Sequence, residues 1–324
     1  MSATTVTPVG PAITQEELPK IAEGETKVIR DLPKHPHLGP MVLIGNTDAV
    51  KAHDGLRKRL LPEKGAVSCG VTIRIFEHLR ENGLVNHLVA HAIGLSLEDE
   101  YFQKVLGMIT RAGLDGLYLR THFFARKLTM QPFKFVVRRI VPEKSSYLDR
   151  YPRTPVGHRF DVPVVEVFLT DNPRKGSLVI FDGANRRLLF HESSMPMGQN
   201  YMGMKMIKDE DRERIAKVFI GGQEIALRTF IILEEMFASV GHTLVELEIK
   251  VGFDVFGNLI LGDDITPDEI NLWPDGDARK ARDRQKYLDI PDDELTPEML
   301  AELLAYYTFV LELMKAIRGE PDSF

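Results

Sequence analysis

From residue 245 to residue 254 the chain alternates apolar and charged side chains with a period of two: Val245, Leu247, Ile249, Val251 and Phe253 against Glu246, Glu248, Lys250 and Asp254. An extended strand is the regular structure that sends every second side chain to one face. The segment is therefore expected to be a β-strand with one side in a core and the other carrying charge. Gly257-Asn258 can turn it into a second strand over residues 259–262, which stops at the acidic pair Asp263-Asp264. A strand of this kind needs a sheet to join, and the rest of the chain supplies one.

Residues 21–30 read as a strand, a tight turn at Gly24 and a second strand, and residues 41–44 add another short apolar strand. Val71, Ile75, Phe76 and Leu79 recur at helical spacing, with Gly83 where a helix would stop. Residues 117–128 and 132–141 are expected to be strands separated by a turn at Thr129-Met130-Gln131, and residues 143–163 a polar, proline-bearing loop suited to substrate contact. Residues 177–190 should form a hairpin about Asp182-Gly183-Ala184-Asn185. A long helix over 209–240, interrupted near Gly221-Gly222 and closed by Gly241, follows. The last helix spans 297–318, with Thr296 as its cap, Pro297 in the first turn and Gly319 at its end. The apolar face of that helix, including Leu303, Tyr307 and Leu311, is expected to cover the protein's own core, with a homo-oligomer interface as the alternative. Strands and helices do not alternate regularly, so an α+β fold is expected and not a doubly wound parallel sheet.

Charge and composition narrow the function. The 324 residues carry 41 Lys plus Arg against 47 Asp plus Glu, a net charge of -6 without the basic excess that nucleic-acid binding uses. No run approaches the ~20 apolar residues that span a bilayer. One cysteine, Cys69, cannot pair internally and suits a reducing cytoplasm. The first eighteen residues show neither a secretory signal nor an Arg-rich transit pattern and are expected to form a flexible arm. The G-x-x-x-x-G-K-[ST], G-x-G-x-x-G and G-x-S-x-G motifs are absent. His87 and His91 lack the glutamate of a zinc-hydrolase pair and are expected to be structural, while His35 and His37 are expected in a solvated loop.

Five short segments stand in an order that resembles the SAICAR synthetase family of purine biosynthesis. They are Gly24-Glu25-Thr26-Lys27, similar to a Gly-Lys-x-Lys hairpin; Lys64-Gly65 with its helix running to Gly83; Met130 to Arg139, similar to Met-x-Pro-x-Glu-x-Val-Val-Arg; Leu261 to Trp273, similar to Gly-Asp-Glu-Ile-Ser-Pro-Asp ending in Arg-Leu-Trp; and Asp283 to Tyr287, similar to Asp-Lys-Gln-x-Tyr. The resemblance covers most of the chain from residue 24 to residue 287. It implies two lobes related to ATP-grasp and kinase-like architectures: a β-rich nucleotide lobe over 19–130 and a larger substrate and metal lobe over 131–324. It further implies an ATP-dependent ligase that joins L-aspartate to a phosphoribosyl aminoimidazole carboxylate through an acyl phosphate, with Mg²⁺.

Carried over residue by residue, the resemblance makes Lys27 the phosphate contact and Gly24 the place where backbone approaches ATP. Met130 and Gln131 fall in the segment that would hold adenine. Arg138 would bind substrate, joined by Ser145 and Ser146, and Asp263 with Glu248 would hold magnesium. Without the motif, Lys27 and Arg138 would read as ordinary strand charges. The family's Asp-x-Lys-x-Glu-Phe-Gly appears here as Glu246-Leu247-Glu248-Ile249-Lys250-Val251-Gly252, with lysine and glutamate exchanged. Positions 248 and 250 share a strand face, so the swap moves the carboxylate by roughly 7 Å. Either Glu248 reaches the metal from its new position, or Lys250 replaces part of the metal's charge, or the metal site is gone. Glu25, Lys134 and Asn271 also depart from the pattern. Two further readings follow from these departures: a related amide ligase with a different acid or amine, and a nucleotide-binding protein without catalysis.

Overall fold

The computed structural model describes residues 18–24, 26–52, 57–91, 99–111, 120–171, 175–198, 201–281, 290, 294 and 296–320. The first sheet holds β1 (Lys20–Glu23), β2 (Lys27–His35), β3 (Gly39–Asn46), β7 (His122–Arg126) and β6 (Leu88–His91), in that spatial order. A separate ribbon pairs β4 (Ala49–Ala52) with β5 (Arg57–Leu60). The second sheet runs β12 (Tyr201–Met206), β11 (Arg187–His191), β10 (Leu178–Asp182), β9 (Arg159–Leu169), β8 (Thr129–Ile140), β13 (His242–Phe253) and β14 (Leu259–Gly262), and β15 (Ile270–Pro274) also pairs with β13. The strand pairs in these sheets are antiparallel. The helices are α1 (Lys64–Glu81), α2 (Glu100–Arg111), α3 (Ser146–Arg150), α4 (Arg212–Ala238) and α5 (Pro297–Arg318). This is the expected α+β arrangement in two lobes, one built on each sheet.

A parallel bridge between Asn86 and Leu261, with the His87 N–H donating to the Leu261 carbonyl at 3.1 Å, ties the first sheet to the end of the second. The strand read most clearly from sequence, β13, is the hub of the second sheet, flanked by β8 on one side and by β14 and β15 on the other. Its alternation holds from Leu247 to Val251, all buried in the main core. Val245 departs from it. The register against β15 shifts between Leu244 and Glu246, and Val245 packs in a separate cluster with Ile140 and Trp273 while Leu244 joins the main core.

Several expectations give way to tertiary contacts. Thr129 to Gln131 is not a turn: β8 already starts at Thr129, with Thr129 opposite Phe253 and Met130 opposite Gly252. The expected strand over 117–128 begins at His122, residues 117–119 lying outside the described residues. The expected loop over 143–163 contains α3, capped by the Ser145 hydroxyl, and the start of β9, and its Arg150 is fully buried. The expected interruption of α4 does not occur, because Gly222 is where the helix presses on the sheet. A Cβ there would stand 2.3 Å from the Phe135 ring, so the glycine is a packing residue rather than a break. Likewise α1 begins at Lys64, well before Val71, because its first turns bury small and polar residues that carry no helical apolar pattern. His35 is buried, its Nδ1 accepting from the N–H groups of His37 and Leu38.

Other elements match. The hairpin pairs Asp182 with Arg187, and the α5 cap is Thr296 with Gly319 in the left-handed region. Leu303, Tyr307 and Leu311 cover the protein's own core, Leu311 against α1 where a Cβ on Gly70 would be 3.0 Å away. The arm over 1–17 and the segment from Asp283 to Tyr287 lie outside the described residues, as does Glu25. Leu18 is described and buried, its carbonyl accepting from Arg30 at 3.0 Å. Among the described residues no helix is long and apolar enough to cross a membrane.

Candidate active site

Two neighbouring places gather the sequence-predicted residues. The first lies where β2 of the small sheet meets the β13–β14 hairpin. Lys27, the first residue of β2, donates to the carboxylates of both Asp263 and Asp264. Lys250 of β13 donates to the other Asp263 oxygen at 2.6 Å, and Asn46 at the end of β3 donates to Asp264 Oδ2 at 2.8 Å. Asp263 itself adopts a left-handed backbone, with φ of 65°, and its carbonyl is 2.7 Å from His87 Nε2. A non-glycine residue in this region costs on the order of 1 kcal/mol or more, and here the surrounding bonds hold it.

The electrostatics follow from these partners. Burial works against the charge on Lys27, but Asp263, Asp264 and Glu269 outweigh it and hold its pKa above the ordinary value. Asp263 raises the pKa of Lys250 to about 12 against the opposing burial. Burial disfavours the charge on Asp263 too, yet Lys27 and Lys250 hold its carboxyl well below the usual range. Burial pushes His87 down to about 4, so it stays neutral, as a structural histidine would. His91 is pushed down to about 4 by burial as well, and it sits on β6 rather than on one helical face with His87.

The second place is a cleft of about 700 Å³ between β8, β13 and the segment following Asp263. Arg138, Ser145, Ser146, Glu246 and Glu248 line it, together with Asp268, Glu269 and Asn271. Arg138 donates through Nε to Glu246 at 2.6 Å and through Nη1 to Glu166, which Arg150 also holds at 2.8 and 2.6 Å. Ser145 spends its hydroxyl on the Tyr147 N–H at 3.3 Å. Glu248 is paired with Lys134 at 2.7 Å. Asn271 Oδ1 is buried without a hydrogen-bond partner among the described residues.

The structure thus brings Arg138, Ser145, Ser146 and Glu248 to one cleft, and Lys27 and Asp263 to the adjoining cluster. Glu248 and Asp263 are paired with different lysines, Lys134 and Lys250, while the charges of both act on Lys250. Met130 lies at the edge between lobes, half exposed, with its sulfur over two glycines: a Cβ on Gly252 or Gly262 would come within 3.0 or 3.1 Å of it. Gln131 turns inward, donating to the Thr129 carbonyl at 2.9 Å and accepting from Arg214 at 3.3 Å. At Gly24 a Cβ would meet nothing nearer than 3.7 Å, so the fold alone does not demand glycine there. Sequence reasoning missed Asp264, Asn46, Glu166 and Arg150 as members of these networks. Arg150 and Glu166 carry no local signal, since one stands in a polar stretch and the other within a strand, and only the pairing of β8 with β9 brings Glu166 to Arg138, where Arg150 shares it.

Glu269 joins the two places, lining the cleft while its charge acts on Lys27. Burial, then repulsion from Asp264 and Asp268, raises its pKa from 4.5 to about 7 against the pull of Lys27 and Thr266. The folded protein therefore keeps a proton that the unfolded chain has released. That stability is present below pH 4.5 and is lost as pH rises through about 7. A Glu269→Gln variant, whose amide oxygen can still accept from Thr266, should match the parent near pH 4.5. Above pH 7 it should melt about 2–6 °C higher in thermal unfolding followed by circular dichroism.

Comparison with known proteins bears on this geometry. A family model described as SAICAR synthetase matches residues 20–292. The phosphoribosylaminoimidazole-succinocarboxamide synthase of Herpetosiphon aurantiacus is 29% identical over 299 residues, covering 92% of this chain and 98% of that protein. The protein of the same name from Roseiflexus castenholzii is 27% identical over 272 residues, covering 84% and 87%. Among solved structures, a type-2 SAICAR synthetase in complex with ADP superposes with a TM-score of 0.60 at 22% identity, covering 94% of this chain and 99% of that one. The SAICAR synthase of Saccharomyces cerevisiae complexed with SAICAR superposes with a TM-score of 0.62 at 16% identity, covering 99% and 100%. At these identities the structural likeness speaks for the fold.

Proposed function

The chain belongs to the SAICAR synthetase family, and from that premise we propose that it is an ATP-dependent ligase of purine biosynthesis that joins L-aspartate to carboxyaminoimidazole ribotide. The observation that carries this reading is the adjacency of a lysine-rich cluster at Lys27 and Lys250 to a cleft holding Arg138. Such an arrangement suits a nucleotide triphosphate tail meeting a carboxylate substrate. The nucleotide-bound relative supports it by its fold. The division at residue 130 into a nucleotide lobe and a substrate lobe is part of the same proposal, as is a cytoplasmic setting, which the single buried Cys69 suits.

In this reading the substrate carboxylate oxygen attacks the γ-phosphorus, the bond to the β-phosphate breaks, and ADP leaves. The aspartate amine then attacks the acyl carbon, phosphate departs and the nitrogen loses a proton. Such transfer needs positioning and charge neutralisation more than covalent help from the protein. Lys27 takes the phosphates, and Gly24 lets backbone come close to them. Met130 and Gln131 border the adenine. Arg138 offers a planar fork to the substrate's carboxylate or phosphate, exchanging Glu246 for it while Glu166 continues to hold the guanidinium in place. Ser145 and Ser146 stand at the same wall. Magnesium enters with the nucleotide as part of the substrate. The groups around Asp263 do not fit an ion held by the protein, since both its carboxylate oxygens already accept from lysine ammonium groups.

Purified protein given Mg²⁺, ATP, carboxyaminoimidazole ribotide and aspartate should release ADP only when both substrates are present. Absence of turnover, with an active family member run in parallel, would overturn the reading. One observation favours a second reading, a related ligase with another acid or amine: the cleft is rich in carboxylates, with Glu143, Glu246, Glu248, Asp268 and Glu269 on its walls, and Asn271 stands in it. Screening amines and aminoimidazole acids for ADP release separates the two.

A further inference from the structure

We propose that Lys250 keeps a divalent cation off Asp263 and serves in its place, so that the nucleotide's phosphates are received by two lysine ammonium groups and not by a metal ion bound to the protein. This rests on the reading that the nucleotide's phosphates lie at Lys27. Each Asp263 oxygen is already held by an ammonium group: Lys27 donates to Oδ1 and Lys250 to Oδ2 at 2.6 Å. Asp264 is equally engaged, by Lys27 on Oδ1 and by Asn46 on Oδ2 at 2.8 Å. Glu248 is held by Lys134. Among the described residues no three His, Cys, Asp or Glu side chains gather as a metal cradle.

Magnesium binds carboxylate oxygen at about 2.0–2.1 Å and demands near-octahedral oxygen ligands. On Asp263 it would stand beside two ammonium groups, with like charges in contact. The arrangement is also pinned by the fold. Lys250 lies opposite Gly262 in the β13–β14 register, one residue before Asp263, so the hairpin itself sets the ion pair. The Asp263 carbonyl is fastened by His87. Lys27 and Lys250 together carry the two positive charges that one divalent ion would bring. A neighbouring pair, Lys134 with Glu248, stays intact beside them, so Glu248 keeps a lysine partner of its own.

The test uses Mn²⁺ as the probe, followed by electron paramagnetic resonance in nucleotide-free full-length protein, and ADP titrated by calorimetry in Mg²⁺ and in EDTA. The natural protein should leave the free Mn²⁺ signal unchanged, and its ADP affinity should differ by less than about threefold between the two buffers. A Lys134→Glu/Glu248→Lys/Lys250→Glu variant keeps a cross-strand ion pair and presents a second carboxylate to Asp263. It should gain one Mn²⁺ site and lose about tenfold or more in ADP affinity when metal is removed. Lys250→Gln, a smaller change, should weaken ADP binding about tenfold in EDTA and so decides the matter if the triple variant does not fold. Stoichiometric Mn²⁺ binding by the natural protein that Asp263→Asn abolishes would overturn the proposal. So would a folded triple variant that binds no Mn²⁺. If ADP binds in neither buffer, the nucleotide reading fails, while the Mn²⁺ titration still decides whether Lys250 excludes the ion.

Discussion

Lys27→Met should fold but lose its nucleotide, with ADP affinity measured by calorimetry falling about 100-fold or more, the equivalent of some 2.7 kcal/mol. The reason is that one ammonium group serves three partners at once. In the protein alone it neutralises Asp263 and Asp264, and in the proposed function it is the cation that takes the phosphates. Without it two adjacent carboxylates face each other, with Lys250 and Asn46 as their remaining donors. The charge presented to an incoming polyphosphate turns from balanced to negative. Lys27→Arg keeps the charge but enlarges the head, and should recover part of the affinity. An unchanged ADP affinity in Lys27→Met would remove Lys27 from the site.

Arg138→Met is the second large effect. Turnover measured by ADP release should fall by about a thousandfold, which asks about 4 kcal/mol of one bidentate contact to substrate. Stability should fall as well. Breaking a buried ion pair by deleting one partner costs about 3–5 kcal/mol. Here the loss should sit at the lower end. Glu166 keeps both contacts from Arg150, and Glu246 is 30% exposed and can rehydrate. Arg138→Lys restores the charge without the fork. It should regain most of the melting temperature and little of the turnover, which separates a contact with substrate from a purely structural ion pair.

Legibility in the sequence followed locality. Gly24 and Thr296 mark ends of elements because turn and cap chemistry depends on residues a few positions apart. Gly222 misled for the opposite reason: its meaning lies in the Phe135 ring pressed against it from another element. Residues 143–163 read as loop because Arg150 looks like a surface residue until Glu166 and a carbonyl from Ser193 enclose it. Val245 fitted a flawless alternation, and a bulge against β15 moved it to another cluster.

The site shows the same division. Lys27, Arg138, Asp263, Ser145 and Ser146 were named from short motifs, because each motif holds the residues that one strand end or loop presents together. Their partners were not nameable in that way. The exchange of Glu248 and Lys250 looks from sequence like damage to a metal site, and it becomes two ion pairs in space: Lys134 with Glu248, and Lys250 with Asp263.

The chain by itself determined the fold class, the strand and helix periods and the family, since these are written in neighbouring residues and their spacing. The tertiary structure alone decided which charges meet. Lys27 and Asp263 are 236 positions apart, and a charge pair acts through distance in space, which no spacing along the chain encodes.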